Sequence, residues 1–421
     1  MKYANSNNQT GLPTTLLPWM MWVLTLSFFA FQFILRLFPG LMMPQIMQQF
    51  SIDATAFGFL SAMYYFGYAG MQIPVAILLD RYGPRLVVSA CALVCGLSTL
   101  IFLYTNNWLI ALLGRFLIGA SSAAGFLGTS KIVSMYFPRN TYARMIGYTF
   151  SFGLLGALYG GKPVNYLIEQ WGWQSVLLGI ACVAVCIACA VFLFGKNEKI
   201  SSPTNESFSF NSLFQLFKKP GLLWLAFANL LMVGSLEGFA DVWGVTYLMK
   251  AYSLTKGDAA GAVSFIFVGM LFGGPLLAYL SSKISSFYVI SLSGLGMAGL
   301  FAVMLYLPNF INGYILCMLF FVVGVLCCYQ VIVFAVGTDM VTPALAGITV
   351  AFLNSINMLG GSFFHTLIGS LLDLCWAGGM ENGCRLYEVE TYTYALLSIP
   401  ATAALGAFIV GTLKMSEQRK A

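Results

Sequence analysis

The chain has 421 residues, of which 59% are hydrophobic and 8% charged, with a formal net charge of +6. A typical soluble domain carries about 25% charged residues; this composition excludes a soluble enzyme, and its repeated apolar runs, near 20 residues each, read as membrane spans. Ten cysteines and one histidine, His365, show no metal-ligand spacing, and no P-loop or basic nucleic-acid patch is present, so no metal, cofactor or nucleic-acid partner is expected.

The N-terminal MKYANSNNQTGLPTT is short and polar without a cleavable signal peptide, and the first apolar run reads as a retained helix. Hydropathy predicts twelve spans, at 18–48, 54–79, 86–104, 108–135, 142–168, 173–195, 221–249, 258–281, 285–306, 311–337, 343–374 and 391–413. Span one contains FQFILRLFPG (31–40), with Arg36 between apolar runs. A charge near the bilayer midplane is costly unless it faces a cavity or a partner. A helix running on to Gln48 or Gln49 places Arg36 near mid-depth, after about 27 Å of helical rise; a helix ending at Phe38 lets it snorkel to the surface. Pro39, Gly40 and Pro44 loosen the helix beyond it. Gln32 lies one turn earlier on the same face.

Further along, Arg115 lies near the start of span four. Lys162, deep in span five and next to Pro163, is either a second cationic contact or a snorkelling group. Segment 196–220 is polar, then weakly amphipathic, and separates an N-terminal bundle (1–195) from a C-terminal bundle (221–421); its LFQLFKK end is a candidate for the membrane surface. Span seven holds Glu237 and Asp241, four residues apart on one helix face. Neutral groups that could complete a site are Tyr64, Tyr65, Gln72, Trp243, Tyr247, Tyr329, Gln330, Asn354 and Asn357; each could equally be an interhelical polar contact. Tyr64 and Tyr65 cannot both face a cavity. Loop 375–390 either covers the outer mouth or is a solvated hairpin, and Cys375 and Cys384 beside it could pair if it faces an oxidising compartment.

With both termini on one side, that side receives 14 of the 20 basic residues, and the other receives three, Lys250, Lys256 and Arg385. The positive-inside rule then places both termini and the long loop in the cytoplasm. The halves also repeat. Gly147, Gly160 and Gly161 recur as Gly347, Gly360 and Gly361 at an offset of 200, and Phe50–Ser51 recurs as Tyr252–Ser253 at 202. Such repeats characterise secondary transporters, with a site between the halves near the midplane. The offset of 202 sets Arg36 against Gly238, beside Glu237, so the arginine and the acids could face one another. They form either a structural ion pair or, since two close carboxylates compete for ionisation, a proton-coupling site.

AILLDRYGPR (76–85) joins spans two and three, GRFLIGASSAAG (114–125) lies in span four, and GLLGALYGGKP (153–163) lies in span five. With these motifs and twelve spans, the chain resembles the major facilitator superfamily over nearly its whole length. Leu78, Asp80, Arg81, Gly83 and Arg85 match the superfamily's loop pattern, while Ala76 replaces its first Gly; GGPLLAYLSSK (273–283), the equivalent loop of the second half, lacks the Asp-Arg pair. The resemblance implies an all-α polytopic membrane protein, with twelve transmembrane helices in two pseudo-symmetric six-helix bundles. It implies a gating role for Asp80, Arg81, Gly83 and Arg85, with Asp80 accepting from backbone at a helix N-terminus. Spans one, four, seven and ten would line the cavity, which favours Gln32, Trp243 and Gln330, and the resemblance assigns Arg115 to substrate coupling or helix packing. The position of Arg36 is similar to that of the span-one arginine of organic-anion and organophosphate transporters, implying an anion site, preferably for a carboxylate.

The resulting expectation is a monomeric carrier in a bacterial inner membrane. It would move a small anionic or zwitterionic solute by alternating access, by symport with protons through Glu237, then Asp241. The substrate would meet Arg36, Gln32, Lys162, Arg115, Trp243, Gln330, Asn354 and Asn357. Proton-driven efflux of a drug, metabolite or siderophore is the alternative, and a non-transporting sensor ranks below it.

Overall fold

A computed structural model of the protein describes residues 16–196, 210–381 and 384–418. Ten stretches are long and apolar enough to cross a membrane. One of them, α3 below, bends back as two spans, and a paired-helix stretch at 142–171 adds another, which gives twelve crossings.

In the first half, α1 (Leu16–Leu41) is followed by the short α2 (Met43–Phe50). Spans two and three form one helical run, α3 (Ala54–Tyr104), interrupted at Gly83. Gly83 has φ 80° and ψ 161°, a conformation that side-chain-bearing residues avoid, so glycine makes this turn possible. Span four is α4 (Trp108–Ser122) with α5 (Ala124–Tyr136), span five is α6 (Tyr142–Gly160) with α7 (Lys162–Trp171), and span six is α8 (Trp173–Phe194). In the second half, α9 (Phe210–Phe217) precedes span seven. That span joins α10 (Pro220–Met232), a π-helical stretch Gly234–Trp243, and α11 (Gly244–Ala251). Spans eight to ten are α12 (Lys256–Lys283), α13 (Ser286–Tyr306), and α14 (Gly313–Cys327) with α15 (Tyr329–Asp339); span eleven is α16 (Ala346–Leu374). A two-residue antiparallel hairpin, Met380–Glu381 with Cys384–Arg385, leads to α17 (Val389–Leu396) and α18 (Ser398–Gln418), which form span twelve.

Span one does not run unbroken to residue 48. It stops at Leu41 because Pro39 cannot donate to the carbonyl four residues back and Pro44 starts the next helix. The loop residues 197–209 of the linker, and Lys2, Arg419 and Lys420 of the charge count, lie outside the described residues. Cys375 is a free thiol and the side chain of Cys384 lies outside the described residues, so the structure gives no disulfide there.

The internal repeat is visible in the backbone. Ser51 and Ser253, the equivalent positions, both adopt φ 51°. Two residues later Asp53 accepts from the Ala56 N–H at 2.9 Å, and Thr255 accepts from the Asp258 N–H at 3.1 Å, so each following helix starts with a side-chain cap. A Cβ placed on Gly160 would lie 3.1 Å from Leu37, and one on Gly360 would lie 3.1 Å from the Leu230 carbonyl. Equivalent glycines therefore let α6 close on α1 and α16 close on α10.

The halves meet along α3 and α16. Their described hydrogen bonds run from Thr55–Asp373 at one end, through Ser362 donating to the Ala62 carbonyl (3.1 Å), to Ser355 donating to the Ala69 carbonyl (3.4 Å). The first of these marks the contact end of the molecule. At the opposite end the charged groups of the 76–85 loop pair within their own half.

Candidate functional site

The site begins with a backbone defect. Pro39 has no N–H, so the Leu35 carbonyl loses its helical donor. Arg115 supplies one: its Nη1 donates to Leu35 O at 2.5 Å and its Nη2 to Arg36 O at 2.9 Å. Tyr64 and Phe38 place their rings 4.8 and 4.9 Å from the same guanidinium. Arg115 is thus a buried brace between spans four and one, both of its Nη atoms engaged by span-one backbone, while its Nε has no partner among the described residues.

Arg36, 7% exposed, reaches from this braced turn across to span seven. Its Nη2 donates to Asp241 Oδ1 at 3.1 Å and lies 3.1 Å from Glu237 Oε2. Its Nε is 2.6 Å from Asp241 Oδ2, a charge contact without an aligned N–H. Tyr65, from span two, sets its hydroxyl against Glu237 Oε2 at 2.7 Å and against Asp241 Oδ2. One arginine, two carboxylates and one phenol, contributed by both halves, therefore share a single buried cluster.

The π-helical turn helps assemble it. The Gly244 N–H donates to the Phe239 carbonyl, five residues back. All ten residues of Gly234–Trp243 are buried, and such turns are frequent at functional sites. Around the cluster, Gln32 accepts from the Tyr64 hydroxyl at 2.6 Å. Tyr64 and Tyr65 both turn into the interior; Tyr64 serves Gln32 and Arg115, while Tyr65 serves the acids. His365 packs its ring 5.3 Å from that of Tyr65, and among the described residues neither of its nitrogens has a partner. Trp243 is fully buried against Phe57 at 5.7 Å, its Nε1 unpartnered among the described residues. Asn357 donates to Gln330 at 3.3 Å, and Asn354 is half-buried on the same helix.

Lys162 is not brought to Arg36. Span five stops at Gly160 and restarts at Lys162, because Gly161 leaves helical geometry and Pro163 suits only a helix start. Its side chain, 61% exposed, bridges to Asp258 of the other half at 3.0 Å. The loop residues also differ from expectation. Asp80 accepts from Lys131 at 2.7 Å rather than from backbone. Arg85 donates to the Phe192 carbonyl at 2.8 Å, capping the end of α8, and Arg81 lies over the ring of Tyr82.

A second polar constellation, at the contact end, was not foreseen. Asp373 accepts from the Thr55 N–H (2.7 Å), the Thr55 hydroxyl (2.5 Å), Arg385 Nη1 (2.8 Å) and the Tyr387 hydroxyl. The Tyr387 oxygen in turn accepts from the Ala54 N–H at 3.0 Å. Burial, followed by the hydrogen bond to Asp373, pushes the Tyr387 phenol above its ordinary value, so it remains a donor. The 375–390 loop therefore ties the C-terminal half to the free N–H groups at the start of α3. The readable signal was an acid ending span eleven opposite a helix start, with an arginine in the following loop.

The chain matches the profile of the Major Facilitator Superfamily over residues 20–365. It is 30% identical over 142 residues to the uncharacterized transporter YybO of Bacillus subtilis, an alignment covering 34% of this chain and 33% of that protein. It is 20% identical over 398 residues to the probable galactarate/D-glucarate transporter GudP of Escherichia coli, covering 84% and 86%. Among solved structures, a bacterial homolog of the human lysosomal transporter Spinster, inward-facing and occupied, superposes with a TM-score of 0.77 at 16% identity over 96% of this chain and 98% of that one. The last is a likeness of fold.

Proposed function

The chain belongs to the major facilitator superfamily, an integral membrane transporter family, and from that premise we propose that it is a proton-coupled carrier of a small organic anion, working by alternating access. The observation that carries the reading is the Arg36–Glu237–Asp241–Tyr65 cluster at the junction of the halves. The resemblance to a probable galactarate/D-glucarate transporter supports an organic acid as cargo.

The chemistry follows from counting hydrogens and charges. Glu237 Oε2 and Asp241 Oδ2 both press on one phenolic oxygen, which has a single hydrogen to donate. A proton on either carboxyl would let that acid donate to the phenolic oxygen. One guanidinium likewise balances one carboxylate, not two. The cluster is suited to hold a transportable proton. When that proton is bound, one carboxylate is neutral and releases its side of the Arg36 fork, which can then receive a substrate carboxylate. When the proton leaves, the acid reclaims Arg36 and displaces the substrate.

With the basic end in the cytoplasm, the contact end faces outward and this conformation is the inward-facing one. Asp373, Thr55, Arg385 and Tyr387, with Lys162–Asp258, then close the outer side. The bonding of Asp80 to Lys131 and Arg85 to Phe192 within one half fits a disengaged cytoplasmic latch. Localisation in a bacterial inner membrane with cytoplasmic termini belongs to the same reading. Efflux of a cationic drug would suit acids facing a greasy cavity without a cation between them; Arg36 between the two acids argues for an anion. Lys162 plays no part in that argument, given its exposed position.

The test is uptake of organic acids into proteoliposomes. An inward proton gradient should accelerate uptake and R36A should abolish it. Substrate counterflow without a gradient separates a carrier from a sensor. Uptake indifferent to R36A would remove the anion site.

A further inference from the structure

Among the described residues, four buried polar atoms without partners belong to three amides, Asn229, Gln330 and Asn357, which one helix junction sets at a common level. Where α10, α15 and α16 meet, a Cβ on Gly337 would lie 3.4 Å from Leu222 and 3.5 Å from Thr349, and would run into Leu353. Advancing two turns from that junction along each helix keeps the same face. Seven residues beyond Leu222 stands Asn229. Seven residues before Gly337, on the antiparallel α15, stands Gln330. Eight beyond Thr349, and four beyond Leu353, stands Asn357. Two further contacts hold this level together: Asn357 Nδ2 donates to Gln330 Oε1 at 3.3 Å, and the Tyr329 hydroxyl donates to the Asn229 carbonyl at 3.2 Å.

Three primary amides thus sit at one level of the C-terminal half, two of them hydrogen-bonded to each other. Asn229 and Asn357 are 1% and 0% exposed. Among the described residues, Asn229 Nδ2 and Oδ1, Gln330 Nε2 and Asn357 Oδ1 are buried without a hydrogen-bond partner. Leaving such atoms unpaired is unfavourable, and native interiors seldom do it without water or a ligand. The orphaned set is neutral and mixed, with two oxygen acceptors and two NH2 donors. A carboxylate only accepts and an ammonium only donates, so neither matches both kinds of atom. A hydroxyl does both.

We propose that Asn229, Gln330 and Asn357 form an amide subsite for the hydroxyl groups of a hydroxylated organic acid whose carboxylate is held at Arg36. This rests on the carrier reading above and names its substrate class. Asn229 precedes Glu237 by eight residues, about 12 Å of helical rise, so a carboxylate at Arg36 leaves the hydroxyls along the chain behind it for the side chains reaching from the amide level. The division of labour follows: the charged cluster supplies coupling, and the amides supply selection. Sites built to hydrogen-bond a hydroxyl discriminate strongly against an analogue that lacks it, because the amides are then left unpaired.

The experiment is calorimetric binding to the full-length protein in nanodiscs, with galactarate and adipate as probes. They share a chain and two carboxylates and differ in the hydroxyls. The wild type should bind galactarate about tenfold or more tightly than adipate, as expected for a net gain of a few hydrogen bonds. N229L and N357L should bring the ratio towards one, chiefly by weakening galactarate. Should N229L fail to fold, Q330L, at a half-buried position, reads the same ratio. Equal affinities in the wild type, or variants that weaken both acids alike, would overturn the subsite; R36A-sensitive binding of both acids would then leave the anion reading standing. If neither acid bound the wild type, the carrier reading for such acids would fail and the subsite with it.

Discussion

Replacing Arg36 with methionine keeps the stem and removes the guanidinium, which leaves Glu237 and Asp241, 1% and 3% exposed, without their cation. At the observed 3.1 Å to Glu237, the direct attraction is about 5 kcal/mol for an effective dielectric of about 20. Desolvation of the charges offsets much of it, so the attraction is not the net effect. The informative quantity is the asymmetry. Removing one member of a buried charge cluster costs about 3–5 kcal/mol, because the remaining charges stay buried, whereas neutralising every member is nearly neutral. R36M should therefore lose about 3–5 kcal/mol in denaturant unfolding of the purified protein, and R36M/E237Q/D241N should recover most of it. R36M unfolding at the wild-type midpoint, or a triple variant no more stable than R36M, would refute the assignment of a charge-compensated cluster.

Other consequences concern the surroundings. R115M should destabilise by about 1–3 kcal/mol by orphaning the Leu35 carbonyl, and adding P39A should restore part of the loss because an alanine at that position supplies the missing N–H; unfolding midpoints of the single and double variants decide this. D373N weakens the acceptor shared by Thr55, Arg385 and Tyr387, so a cysteine placed at Ser61, fully buried on α3 six residues past Thr55, in a background without native cysteines should be labelled faster by an aqueous maleimide. K162A removes an exposed pair, a class of small energetic effect, and should leave substrate affinity unchanged in the same calorimetric assay.

Much of the architecture is readable from hydropathy because a helix in lipid must satisfy its backbone internally and bury or face apolar surface throughout. The internal repeat was likewise readable, since glycine pairs such as Gly160 and Gly360 are dictated by close helix approach. The approach of Arg36 to Glu237 follows from the same symmetry. Local departures were less legible. Over ten residues, π and α periods leave Glu237 and Asp241 neighbours alike, so the π turn left no pattern. The break at Gly161 carried Lys162 out of the span and onto Asp258, 96 residues away, a pairing that only folding determines. Arg115 could be read as a substrate contact or a packing anchor, because sequence does not reveal which carbonyl Pro39 has freed. Asn229 looked like one polar residue in an apolar run, and its meaning depends on what α15 and α16 bring beside it.

The most direct test of the coupling mechanism is galactarate uptake into proteoliposomes carrying E237Q, with and without an inward proton gradient and alongside counterflow. The cluster chemistry predicts that E237Q retains counterflow, since Arg36 and Asp241 remain, and loses the acceleration by the gradient. An E237Q protein that responds to the gradient as the wild type does would contradict Glu237 as the proton carrier.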